Sequence, residues 1–148
     1  MVTREADYAV RCVLYLAAHH GELKSVKDIA GPMEIPGSFL AKILQRLLKA
    51  GFVLSTRGVG GGFRLSRDPS EITLYDVVGA IDGPVTMSKC AVDALSCNRS
   101  DTCVVHPVWI EVRKCVETSL KAQTFDKLAE QYLDGNIVRG VEFGKKAK

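Results

Sequence analysis

Cys90, Cys97 and Cys103 stand in one short stretch at C-x6-C-x5-C spacing, and His106 follows Cys103 after two residues. Thiolates are soft ligands, and an irregular segment can fold round a metal centre without preserving a regular backbone ladder. Free cysteines more often serve as small buried apolar residues, a reading that suits Cys12 and Cys115 in their helically periodic segments. It suits the other three poorly, because their neighbours Ser96, Asn98, Arg99, Ser100 and Asp101 are polar. Three thiols and an imidazole can close a tetrahedral zinc site or hold an iron-sulfur cluster. Zinc sites usually use C-x2-C knuckles, which this stretch lacks, but spacing alone leaves the two metals open. No convincing base and orienting group accompany any thiol, which argues against nucleophilic catalysis and against an enzyme.

A second constellation lies further forward. Between Pro36 and Ala50, Leu40, Ile43, Leu44 and Leu47 form an apolar stripe, while Ser38, Lys42, Gln45, Arg46 and Lys49 fill the opposite side. Lys42, Arg46 and Lys49 suit phosphate neutralisation, and Ser38, Lys42 and Gln45 suit contact with base edges. Arg57 and Arg64 bracket the tip Gly58-Val59-Gly60-Gly61-Gly62. Glycines let the backbone lie close to DNA, and an arginine there can enter the minor groove. The tip lacks the Gly-Lys-Ser/Thr ending of a nucleotide-binding loop, which removes that chemistry.

The elements that must position these groups follow from periodicity. Ala6, Val10, Val13, Leu14 and Ala17 predict a helix over 3–19, and Ser25 with Asp28 forms a capping box that starts a second at Val26. Gly31-Pro32 is expected to end or bend it. The third helix spans 36–50 and stops at Gly51. Two β-rich runs, 52–57 and 63–66, predict a hairpin around the glycine tip. Residues 72–82 give another short helix closed by Gly83-Pro84. Residues 85–103 lose periodicity, and an unstructured stretch of that length usually has a function. From Val104 a helical pattern returns with Val105, Val108, Trp109, Val112, Val116 and Leu120.

Helices followed by a glycine-tipped hairpin give the order of a winged helix-turn-helix, so the expected fold is mainly α with a small β-hairpin wing and a long later helix. Charge agrees with a double-stranded DNA partner. Ten basic residues oppose five acidic ones through Arg67, and ten oppose twelve in the remainder. The odd count of five cysteines, without a cleavable signal, predicts a reducing, cytoplasmic setting. No run approaches the roughly 20 apolar residues of a membrane span.

Four stretches together are specific: Thr3-Arg4-Glu5-Ala6-Asp7-Tyr8-Ala9-Val10, Arg57-Gly58-Val59-Gly60-Gly61-Gly62-Phe63, Ile72-Thr73-Leu74-Tyr75-Asp76-Val77-Val78, and Cys103-Val104-Val105-His106-Pro107-Val108-Trp109. Over roughly residues 1–135 the chain resembles the Rrf family of bacterial transcription regulators. The resemblance implies a homodimer whose long helix, with the stripe from Val105 to Leu120, crosses its partner. It adds Phe39 to Ser38, Lys42 and Arg57 as DNA contacts, whereas Gln45, Arg46 and Arg64 rest on the helix face and hairpin alone. It also tips the metal toward an iron-sulfur cluster, 2Fe-2S or 4Fe-4S, on Cys90, Cys97 and Cys103. Members differ in the fourth ligand: some use a histidine placed as His106 is, others a first-helix carboxylate placed as Asp7 is. We expect His106. The chain departs from its relatives in the six-residue first spacing, where five is common, and in Gly31-Pro32 of the second helix.

The expected organisation is a DNA-binding winged helix over 1–84, a cluster-binding loop over 85–103, a dimerisation helix region over 104–135 and a flexible tail over 136–148. Gaining, losing or modifying the cluster would reorder residues 85–106 and shift the dimer helix, altering operator affinity. The alternatives are a zinc-stabilised or cluster-free regulator, and an electron-transfer protein, which would have no use for the basic helix and the wing.

Overall fold

The computed structural model describes residues 2–135, and the expected tail lies outside them. Helix α1 (Arg4–Ala18) begins where Thr3 accepts a hydrogen bond from the Ala6 amide, and it buries Ala6, Ala9, Cys12, Val13 and Leu16 at helical spacing. Helix α2 (Val26–Met33) opens on a complete capping box: the Ser25 hydroxyl accepts from the Asp28 amide, and the Asp28 carboxylate accepts from the Ser25 amide at 2.7 Å. Pro32 does not stop it, for the helix runs one residue further before Glu34 turns left-handed at φ 53°. The proline has no amide hydrogen to offer the Asp28 carbonyl four residues back, so it costs the ladder one bond.

Helix α3 (Gly37–Lys49) buries Leu40, Ile43, Leu44 and Leu47 against α1 and α2. Strands β1 (Val53–Thr56) and β2 (Gly62–Leu65) pair antiparallel from Val53 opposite Leu65 to Thr56 opposite Gly62. The hairpin is also tied to the core, because Lys24 and Phe63 exchange both backbone hydrogen bonds, at 2.9 and 2.8 Å. That approach explains Gly62: a Cβ there would stand 2.6 Å from the Lys24 carbonyl oxygen.

A 3-10 turn (Pro69–Glu71) leads to α4 (Leu74–Asp82), capped by Thr73 and Asp76 and ended at Gly83. The segment expected to be aperiodic contains a short helix, α5 (Lys89–Val92), and a 3-10 turn (Ala94–Ser96). Asp93 nucleates the turn by accepting from the Leu95 amide. Helix α6 (His106–Lys121) follows and buries none of its residues within the chain.

The stripe from Val105 to Leu120 is carried by α6, and a separate helix follows it. Gln123 and Phe125 bridge back to Leu74 and Ile72 through backbone hydrogen bonds of 2.9 Å, and α7 (Phe125–Leu133) lies on α1 with Phe125 fully buried. The chain therefore leaves the core along α6 and returns to it with α7. Among the described residues no helix is long and apolar enough to cross a membrane.

Candidate nucleic-acid interface and cysteine segment

Burying the leucine stripe of α3 leaves Ser38, Phe39, Lys42, Gln45 and Lys49 on the exposed side. Ser38, Lys42, Gln45 and Lys49 follow one another at four- and three-residue steps, so they share a face that stands free of the core. Phe39, 47% exposed, is steadied from behind by an edge-on contact with Tyr8 of α1 at 6.3 Å between centroids. Arg57 and Arg64 are exposed on the hairpin, with Val59 fully exposed at its tip and Leu54 opposite Arg64. A helix with a free polar and basic face beside a protruding basic hairpin can meet a groove and its flanking phosphates together.

Arg46 is placed differently from its neighbours. Its guanidinium donates to the Glu5 carboxylate and to the Ile81 carbonyl, both at 2.6 Å, so it joins α3 to α1 and to the end of α4. An amphipathic face shows which side a residue occupies and cannot show that its fork is already engaged within the fold.

Cys90, Cys97 and Cys103 are all half-buried free thiols. Cys90 sits in α5 with its Sγ 3.2 Å from the Ser88 hydroxyl, Cys97 ends the 3-10 turn, and the Cys103 carbonyl accepts from the His106 amide at 3.2 Å. His106 opens α6, and its Nδ1 is buried without a hydrogen-bond partner among the described residues. An orphaned imidazole nitrogen three residues beyond a thiol can, according to its tautomer, donate its proton to an acceptor or offer its lone pair to a donor or a metal. Asp7 instead lies on the surface of α1 in an ion pair with Arg11 at 2.8 Å.

Among the described residues, no three histidine, cysteine or acidic side chains are gathered closely enough to hold a metal. The donor types suit a soft metal centre, but among the described residues the three thiols are not gathered with one another or with His106 or Asp7. Of the two cysteines expected in the core, Cys12 is fully buried, and burial pushes its thiol up to about 12. Cys115 is exposed instead, because α6 has no packing partner on that side within the chain.

The model of the Rrf2 family, described as an iron-dependent transcriptional regulator, matches residues 2–131. The chain belongs to the Rrf2 family. It is 36% identical over 108 residues to the transcriptional regulator NsrR of Bacillus subtilis, covering 72% of this chain and 70% of that protein. Among solved structures, T. potens IscR superposes with a TM-score of 0.75 at 26% identity, covering 95% of this chain and 93% of that one. CymR, the global cysteine regulator of B. subtilis, superposes at 0.74 with 27% identity, covering 88% and 96%. Rrf2 relatives carry the names of transcriptional regulators and not of enzymes, in agreement with the sequence reading. The chain is accordingly a winged-helix, DNA-binding transcriptional regulator of this family.

Sequence reasoning missed Arg113 of α6, which donates at 2.7 Å to the Ala91 carbonyl beside Cys90 and at 2.7 Å to Glu117. The Arg113–Glu117 spacing of four residues was a visible signal, but it reads equally as an ordinary surface pair.

Proposed function

We propose that this chain is a homodimeric regulator that reads operator DNA through α3 and the hairpin, and whose affinity is set by an iron-sulfur cluster in the segment between α4 and α6. The observation that carries this reading is connectivity: the three thiols lie between α4, which Arg46 ties to the reading helix, and α6, none of whose residues is buried within the chain. Lys42 and Arg57 would neutralise phosphates, and Ser38, Gln45, Phe39 and Arg64 would complete the contact.

Pairing with a second copy is supported by the first turn of α6 and the turn that leads into it. Val104, Val105, Val108 and Trp109 are 36–87% exposed, an apolar surface that a lone chain leaves in water. Cys90, Cys97, Cys103 and His106 would hold the cluster, either 2Fe-2S or 4Fe-4S, with Asp7 as the alternative fourth ligand. When bound, such a cluster supplies a centre responsive to iron, redox state or nitric oxide. The protein's own part is to let residues 85–106 change arrangement and to pass that change to α4 and α6. A coupling of about 1.4 kcal/mol is already a tenfold change in operator affinity.

The ungathered thiols favour a second reading, a cluster-free regulator of the same DNA-binding design, of which a zinc-stabilised form is the metal-bound variant. Iron, sulfide and zinc analysis with a visible spectrum, on protein purified without oxygen, separates the two. Stoichiometric iron and sulfide support the cluster; colourless protein that binds its operator with unchanged affinity after metal removal overturns it.

A further inference from the structure

A helix as short as α5 does not persist by itself, because nucleation fixes several dihedrals for one or two hydrogen bonds and leaves the last carbonyls without partners. One of those carbonyls, on Lys89, accepts from the Asp93 amide at 3.0 Å. Another belongs to Ala91, the buried residue after Cys90, and its partner comes from a different element: Arg113 Nη1 donates to it at 2.7 Å across 22 residues of chain. The same guanidinium donates from Nε to Glu117 at 2.7 Å. Glu117 is only 16% exposed at its side chain, and its other oxygen lies 3.6 Å from Lys121, whose ammonium sits 4.4 Å from the Tyr75 ring centre on α4. The Arg113 hydrogen bond also holds the Glu117 carboxyl below the usual carboxylate range, so the acceptor stays charged.

Exposed pairs at this spacing contribute little. This one differs, because a half-buried planar fork spans two elements, meeting a carboxylate on its own helix and a carbonyl on the cysteine segment. We infer that Arg113, oriented by Glu117, is a positioning residue that fixes the Cys90 turn against α6 and passes movement of that turn to α6. The inference rests on the proposed role of Cys90 as a ligand.

The test uses the full chain, reduced and metal-free, with the iodoacetamide alkylation rate of each thiol mapped by mass spectrometry. In Arg113→Ala, Cys90 should react about three- to tenfold faster relative to Cys103, the change expected when one hydrogen bond of ordinary net strength is lost. Glu117→Gln, which keeps an acceptor without the charge, should fall between Arg113→Ala and the unaltered protein. After anaerobic reconstitution, Arg113→Ala should also lose its cluster sooner in air. An unchanged Cys90 to Cys103 ratio, or an equal rise at both thiols from general loosening, overturns the role of Arg113. A Glu117→Gln rate equal to that of the unaltered protein removes Glu117 from it. Failure of the unaltered chain to take up iron would instead overturn the cluster reading, and the metal-free rates would still decide the part played by Arg113.

Discussion

Arg46 of α3 donates to the carbonyl of Ile81, in the last turn of α4, at 2.6 Å. Its second contact, with Glu5, joins two side chains that are each about half exposed, and such pairs add only about 0–1 kcal/mol. The part-buried bond to Ile81 is the larger share. Arg46→Ala should lower stability by about 1–2 kcal/mol, seen as a shift in the denaturant midpoint. Operator affinity should change without a change in its salt dependence. A salt slope lower by about one unit at unchanged stability would place Arg46 on a phosphate instead.

Lys42 and Arg57 make the opposite pattern. Both are exposed and neither takes part in an ion pair or side-chain hydrogen bond among the described residues. Alanine at either should leave the melting temperature in place and weaken operator binding, with the salt slope lower by about one unit for each phosphate that is no longer neutralised. Titrations at several salt concentrations check this. Unchanged binding in both variants would remove α3 and the hairpin as the DNA-reading surface.

The five cysteines should divide by position. Alanine at Cys90, Cys97 or Cys103 is expected to abolish iron uptake, while Cys12→Ala and Cys115→Ala retain it. Anaerobic iron counts on all five variants decide the matter. His106→Ala should shorten cluster lifetime in air, since its buried Nδ1 has no other partner among the described residues, whereas Asp7→Ala should lose only an exposed pair with Arg11. If the aspartate variant alone loses its cluster, the fourth ligand is Asp7.

Phe125 should behave as core. It is fully buried where α7 returns to α1, so Phe125→Ala is expected to destabilise the fold by about 3–5 kcal/mol. Chemical denaturation followed by circular dichroism measures this. A loss below about 1 kcal/mol would mean that α7 docks too weakly to belong to the core.

The sequence alone determined α1 to α4, the hairpin and the outward face of α3. Each is specified locally: leucine periodicity fixes the buried side of α3, Ser25 with Asp28 and Thr73 with Asp76 close capping boxes within four residues, and the glycine tip allows the tight turn. The cysteine spacing showed which groups could act on a metal, because ligand type is written in residue identity. What only the tertiary structure decided depends on groups distant in the chain. The stripe from Val105 to Leu120 does not say where the chain goes next, and the bridges from Leu74 to Gln123 and from Ile72 to Phe125 end α6 and bring α7 back onto α1. Those bridges also leave Cys115 in solvent while Cys12 is sealed in the core. In sequence Arg46 reads as a phosphate contact and Arg113 as part of an ordinary surface pair; their bonds to the carbonyls of Ile81 and Ala91, 35 and 22 residues away, exist only because the folded backbone brings these groups within reach.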